Sequence, residues 1–468
     1  MKQPLVQIVH LNLQYADQVV LSDFNWAIYA GENWVIGGKS GTGKTSLAKT
    51  IAEDKHPSHV YYVSNWYQFT NLEGDRNFYY QQRYNKFQTN DTLTVYADLL
   101  HFGQKHGLDF ADAEPILESL GFQNYRNTQL IELSSGEHKK LQLVQGLWLR
   151  PKLLIIDEPF TGLDQQSRVN LLDIFDKIAE MGTSLVLVTN EEKLPTCINR
   201  FAEIENGKLR VVEHPADFSK DAGRNKKPIP YFLQQAPSFT CTSVVELRNV
   251  SVRYGDKVVL KNVNWKVNAH EKWLLQGPNG SGKSTLLSLL NGDHPQAYNA
   301  DVWLFGAKRG SGESIWDIKE KVGIISPEMH WYFDQNATVW HTIASGFYDS
   351  IGWFLDVKYE EKKRIEQLLD FFDLLPYKNQ LLHTLPLGKQ RLALLARTII
   401  KNPPLLILDE PCQGLDVAQT NHFNAVVDEL CANGNTLIYV GHYESQLPSC
   451  IEHRLLLEKG EVVEEVTI

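Results

Sequence analysis

Across its 468 residues the chain has no apolar run of about 18 residues, the length a helix needs to cross a bilayer. Its opening, MKQPLVQIVH, lacks the charged-then-apolar pattern of an export leader. The expectation is a chain that neither crosses a membrane nor is exported, working in the cytoplasm. Cysteine is sparse: five residues, at 197, 241, 412, 431 and 450, with no CxxC spacing. That pattern excludes a disulfide framework or a zinc site and fits buried thiols in a reducing compartment. Basic residues are outnumbered, 46 Lys and Arg against 56 Asp and Glu, for a formal charge of −10. Broad electrostatic adhesion to nucleic acid or anionic lipid is thereby disfavoured, and no specific nucleic-acid partner is expected.

What the chain does have, it has twice. GGKSGTGKT sets Gly38, Gly41, Gly43, Lys44 and Thr45 in the phosphate-loop spacing G-x-x-x-x-G-K-[ST], and GPNGSGKST repeats it with Gly277, Gly280, Gly282, Lys283 and Ser284. Tyr15 and Tyr254, Glu32 and Glu271, and Trp34 and Trp273 share the P-loops' offset of 239. Further on, Gly136 and Gly388, Asp157 and Asp409, Asp164 and Asp416, and Asn190 and His442 share an offset of 252, so the second copy carries 13 extra residues between its P-loop and its later motifs. A period this long is a duplicated domain, because solenoid repeats run to about 20–50 residues. The boundaries expected are a first domain at 1–212, a linker at 213–242 and a second domain at 243–468. The linker is rich in Pro, Lys and polar residues, with Tyr231 and Phe232 expected to order it in part.

PLVQIVHLNLQY and SVVELRNVSVRY alternate apolar and polar residues, the pattern of half-buried strands that here open each domain. LLIID (153–157) and LLILD (405–409) are apolar runs ending in an acid, read as central parallel strands buried on both faces. Strands alternating with helices give an α/β fold with ligands at the carboxyl ends of the strands. A P-loop works because glycine-freed backbone N–H groups converge on phosphate at a helix N-terminus. Lys44 and Lys283 then reach the β- and γ-phosphates, with Ser46 and Thr285 following in the same turn. Thr45 and Ser284 offer hydroxyls to Mg²⁺, whose other protein contact is Asp157 or Asp409. Glu158 and Glu410, the next residues, are placed to polarise a water for attack on the γ-phosphorus, with a plain surface carboxylate as the alternative. Tyr15 and Tyr254 are expected to stack on adenine.

These residues carry a resemblance. LSSGE (133–137) is similar to the signature motif of ABC-type ATPases, DEPFTGLD and DEPCQGLD resemble their extended Walker B and D-loop, and VGH, ending at His442, resembles their switch histidine. Within that family, GDHPQAYNADVWLFGAKRGSGESIWDIKEKVG and GFYDSIGWF resemble the ModF-type twin ATPases, described as molybdenum-transport or photorepair proteins. The resemblance implies two tandem P-loop NTPase domains. Each has a mostly parallel sheet core, an antiparallel β subdomain and a helical signature subdomain. It further implies that the domains pair head-to-tail within the chain, so that each P-loop pocket is closed by the other's signature.

The two pockets are then unequal. The pocket of Lys283, Ser284, Asp409, Glu410 and His442 receives Ser134 and Gly136. That of Lys44, Thr45, Asp157 and Glu158 has Asn190 in place of histidine and receives LPLGK (385–389), in which Pro386 has neither hydroxyl nor N–H and Gly388 is retained. Asn190 can give phosphate one hydrogen bond but cannot charge near neutral pH. The first pocket is therefore expected to bind ATP and to hydrolyse it slowly or not at all, with Glu158 counting against complete inactivity. No clear glutamine stands where the family places its metal-sensing loop: Asn65 or Gln68 in one half, Pro327 or Glu328 in the other. Aromatics at NWYQF and at 330–333 are expected to fill core.

The leading functional expectation is the ATP-hydrolysing component of a transport system, implied to be for molybdate. It would be held at the inner face of the membrane by separate membrane-spanning subunits. The alternative is a soluble, non-transport ATPase acting on a protein or nucleic-acid assembly, against whose translation-factor form the short linker without a charged helical pattern counts. A nucleotide-sensing regulator without turnover is disfavoured by the complete second pocket.

Overall fold

The computed structural model describes residues 3–15, 18–39, 41–53, 59–64, 92–133, 135–160, 163, 165–191, 193–218, 227–237, 241–254, 257–326, 329, 336–349, 357–413, 415, 417–441 and 446–468. They fall into two compact units, one before and one after residue 223.

The first unit is built on a six-stranded sheet in the spatial order Val60–Val63, Leu153–Asp157, Ser184–Val188, Trp34–Gly37, Arg200–Glu205, Lys208–Val212. The first five strands run parallel and the last turns back antiparallel. The second unit repeats that order with Val322–Ile325, Leu405–Asp409, Thr436–Val440, Lys272–Gln276, His453–Glu458 and Glu461–Thr467. Alternation of side chains across each strand splits the core in two. In the first unit Val35, Leu154, Ile156, Leu185 and Leu187 join a cluster on one face, while Trp34, Ile36, Leu153, Ile155, Val186 and Val188 join one on the other. In the second, Leu274, Leu406, Leu408 and Leu437 face one cluster, and Trp273, Leu275, Leu405, Ile407 and Ile438 the other. Burial on both faces is why LLIID and LLILD read as unbroken apolar runs.

An antiparallel element opens each unit, Val6–Tyr15 with Gln18–Ile28 and Ser243–Tyr254 with Lys257–Asn268. The second has two further strands, Val302–Leu304 and Ala307–Lys308, laid beside Ser243–Tyr254. These locate the extra length of the second copy. From Lys44 to the strand beginning at Val60 is 16 residues, and from Lys283 to the one beginning at Val322 is 39. The interval from that strand to the signature glycine is then shorter in the second copy, which leaves the net 13.

The helical part recurs as well. Val95–His106 starts at Thr94, whose side chain accepts from the Ala97 N–H, and ends at Gly107 in the left-handed conformation. Its counterpart Val339–Ala344 starts at Thr338, which accepts from the His341 N–H. Both caps also form single antiparallel bridges, Thr94 with Gln129 and Thr338 with Leu381. The second half of the linker is seated on the second unit. Ile229 and Leu233 enter its core, Lys227 pairs with Asp370 and Asp373, and Asn402 donates to the carbonyls of Phe232 and Gln235. Phe232 lies beneath the Arg364 guanidinium, whereas Tyr231 is exposed, so the anchoring residues are Ile229, Phe232 and Leu233.

Candidate functional site

Each P-loop leads from the carboxyl end of a central strand, Trp34–Gly37 or Lys272–Gln276, into a helix, Lys44–Glu53 or Lys283–Leu290. The turn requires left-handed backbone at Gly38, Gly41 and Gly43 (φ 93°, 79° and 97°) and at Gly277, Gly280 and Gly282 (φ 151°, 76° and 103°). At Gly277 a Cβ would sit 2.1 Å from the Leu457 carbonyl oxygen, so only glycine fits. The two lysines adopt matching postures. Lys44 Nζ donates to the Gly38 and Lys39 carbonyls at 2.8 and 2.5 Å, and Lys283 Nζ to those of Gly277 and Pro278 at 2.7 and 3.0 Å. Each ammonium is thus folded back over the concavity in which its loop would hold phosphate. Thr45 and Ser284, next in sequence, are both exposed, while Thr285 is buried and Ser46 half-buried.

Asp157 and Asp409 end strands one removed from the P-loop strands in each sheet, with Ser184–Val188 or Thr436–Val440 between. Asp157 is buried. Its Oδ2 accepts from the Tyr62 hydroxyl at 3.2 Å, and its Oδ1 has no hydrogen-bond partner among the described residues. Burial pushes its pKa up, opposed by the Thr45 hydroxyl and the Lys139 ammonium. Lys139 is buried too and donates to the carbonyls of Ser64 and Asp157, both at 2.9 Å; burial holds it down to about 8. Glu158 and Glu410 both sit in left-handed backbone, φ 45° and 43°, with their N–H groups bonded to the Val188 and Val440 carbonyls. Such a conformation costs a non-glycine residue of order 1 kcal/mol and recurs at functional sites. Burial, then the neighbouring Asp157, pushes the Glu158 pKa up. Glu410 Oε2 accepts from Gln413 Nε2 at 3.1 Å.

Asn190 lies against its own P-loop, its Oδ1 accepting the Gly38 N–H at 2.8 Å. Tyr254 ends its strand with its hydroxyl 2.7 Å from Nε2 of the buried His294. Gly136 is buried in the helix Ser135–Trp148, and Gly388 in Leu387–Ile399. Pro386 occupies the N-cap of the latter helix and gives it no side-chain cap. Several candidates lie outside the described residues: Ser134, His442, Asp164, Asp416, Asn65, Gln68, Pro327, Glu328, both aromatic clusters at 65–69 and 330–333, and the Tyr15 side chain. Sequence reasoning passed over Tyr62, Lys139, Arg391, His294 and Gln413. Lys139 and Arg391 had a usable signal, since they share the offset of 252 and place a cation at the same point of both signature helices.

Two cassettes on one chain, each with a P-loop, a strand-terminal aspartate and a following glutamate, define a tandem P-loop ATPase. A family model described as ABC transporter matches residues 21–161 and 260–413, and the chain belongs to this family of ABC ATPases, which bind ATP. It is 34% identical over 485 aligned residues to the ABC transporter ATP-binding protein ModF of Escherichia coli (strain K12), with 96% of each chain covered. An uncharacterized ABC transporter ATP-binding protein of Schizosaccharomyces pombe is 28% identical, covering 92% of this chain and 93% of its own. A solved ATP-binding cassette of an ABC transporter, in its ADP conformation, covers 48% of this chain and 91% of its own at 21% identity and TM-score 0.42. Among the described residues no helix is long and apolar enough to cross a membrane.

Proposed function

We propose that the chain binds two MgATP, hydrolyses one of them readily, and energises a transport system for molybdate whose membrane-spanning subunits are separate chains. It would work in the cytoplasm, at the inner face of the membrane. One observation carries the ATP reading: both lysines, Lys44 and Lys283, are bent onto the carbonyls of their own glycine loops, in sheets that each also carry a buried strand ending in aspartate. Thr45 with Asp157, and Ser284 with Asp409, are the residues that would hold the magnesium. A buried carboxylate oxygen without a hydrogen-bond partner among the described residues, Asp157 Oδ1, suits a hard cation. Bound there, magnesium would neutralise charge on the β- and γ-phosphates.

The remaining chemistry belongs to the protein. Lys44 and Lys283 orient the phosphates, and Glu410 holds the attacking water and takes its proton. Ser134 and Gly136, and in the other signature segment Gly388, are the further residues assigned to nucleotide in this reading. The first pocket is the slower one, a reading supported by the proline at the N-cap of the helix Leu387–Ile399 and by Asn190 in the switch position. Steady-state ATPase of the Glu410→Gln and Glu158→Gln chains tests the assignment. Glu410→Gln should lose on the order of 100-fold or more, and Glu158→Gln only a few-fold. Comparable losses in both would overturn the asymmetry. Co-purification of a multi-span subunit supports transport, whereas a ribosome or DNA partner would replace that reading with the non-transport one.

A further inference from the structure

The duplicated fold supplies its own control for the residue that contacts Asp157. In the first sheet Tyr62 lies opposite Ile155 and Val63 opposite Ile156; in the second Ile324 lies opposite Ile407 and Ile325 opposite Leu408. Ile155 and Ile407 each stand two residues before the strand-terminal aspartate. Tyr62 and Ile324 therefore occupy the same position in their sheets, and only the first has a hydrogen-bond donor. The Tyr62 hydroxyl donates to Asp157 Oδ2 at 3.2 Å, and its ring packs against the cluster containing Leu47, Ile51 and Ile155, which fixes where the hydroxyl can be. Asp157 is 1% exposed and its Oδ1 has no hydrogen-bond partner among the described residues, whereas Asp409 is only half-buried. A carboxylate pinned at one oxygen by Tyr62, with the Thr45 hydroxyl close to the same group, is oriented. Partners behind a metal ligand act in this way, by fixing its direction.

We propose that Tyr62 is a positioning residue for the magnesium of the first pocket, holding Asp157 so that Oδ1 is presented to the cation that accompanies the nucleotide. This rests on the MgATP reading above and deepens it.

The test uses the full chain carrying Lys283→Ala, which silences the second P-loop. Binding of a fluorescent ATP analogue is titrated with Mg²⁺ and, in parallel, measured in EDTA; Mn²⁺ followed by its spin resonance reports the metal directly. Tyr62→Phe removes the hydroxyl and keeps the ring. The metal concentration for half-saturation should rise on the order of 10-fold, with binding in EDTA unchanged. An unchanged or lower metal requirement with intact EDTA binding overturns the role of Tyr62 and leaves the ATP reading standing. Loss of EDTA binding in Tyr62→Phe also overturns it, since the hydroxyl would then serve the fold and not the metal. Failure of the Lys283→Ala parent to bind nucleotide in either condition overturns the ATP reading of this pocket itself.

Discussion

The amide oxygen of Asn190 accepts the N–H of Gly38 at 2.8 Å, tying the switch position of the first unit to the first glycine of its own P-loop. This asparagine therefore has a structural duty as well as the role beside phosphate proposed for it. Its oxygen satisfies a backbone donor of the loop, which leaves its NH₂ group as the part able to meet a ligand.

Two substitutions separate those duties. Asn190→Asp keeps an acceptor for Gly38 and puts negative charge beside bound phosphate. Denaturant stability should hold while nucleotide affinity of the first pocket falls at least about 10-fold. Asn190→Ala removes the acceptor, and should cost about 1 kcal/mol of stability in urea unfolding. Equal loss of stability in both variants would contradict the hydrogen bond to Gly38.

The second P-loop makes a steric prediction. At Gly277 a Cβ meets the Leu457 carbonyl, whereas at Gly280 it meets nothing within 4 Å, although both have positive φ. Gly280→Ala should cost only the left-handed penalty, about 1–2 kcal/mol. Gly277→Ala must also displace the strand His453–Glu458 and should abolish nucleotide binding by the second pocket. Equal melting temperatures for the two variants would contradict this packing.

Much of this was legible in the sequence, and the boundary of legibility is physical. Glycine, lysine and the apolar runs ending in Asp157 and Asp409 are demanded by backbone geometry and by two-sided burial, which leave marks at fixed spacing. The contacts of Tyr62 with Asp157 and of Asn190 with Gly38 depend on which strands lie side by side, about 95 and 152 positions apart along the chain, and no local spacing records that. The strands Val302–Leu304 and Ala307–Lys308 were visible only as surplus length. Of the two linker aromatics expected to order it, Phe232 is seated and Tyr231 is exposed; with the seated Leu233 they belong to one short turn, in which composition does not distinguish the two sides.

Acid should weaken the second unit through His294. Its Nδ1 accepts from the Gln296 N–H at 3.1 Å, so the neutral ring carries its proton on Nε2 and gives it to the Tyr254 hydroxyl. Burial holds its pKa down to about 4, against 6.5 for an exposed imidazole. Between those values the unfolded chain binds a proton that the folded chain does not, so stability is full above pH 6.5 and is lost as pH falls toward 4. The slope from this group approaches about 1.4 kcal/mol per pH unit. Unfolding at pH 6.5 and 5 should show it in the wild-type chain, and His294→Gln should flatten the difference. A slope shared by both would assign the effect to other groups.

Arg391 and Lys139 stand at the same point of the two signature helices and should respond oppositely to removal of their charge. Lys139 is satisfied by the Ser64 and Asp157 carbonyls. Arg391 is 1% exposed, reaches the Ser326 carbonyl only at 3.5 Å, and has Nε and Nη2 without a hydrogen-bond partner among the described residues. Burial holds its pKa down to about 10, with Cys412, Glu410 and Asp409 acting the other way. An apolar side chain of similar length relieves the burial cost of a poorly bonded cation but sacrifices the bonds of a well-bonded one. Arg391→Met should leave stability unchanged or raise it by about 1–2 kcal/mol, while Lys139→Met should lower it by about 2 kcal/mol. Denaturant unfolding of the full chain measures both. If Arg391→Met proves the more damaging, its guanidinium is bonded in solution to a group that the present arrangement leaves out of reach, with the adjacent Glu410 carboxylate as the first to examine by a Glu410→Gln, Arg391→Met double-mutant cycle.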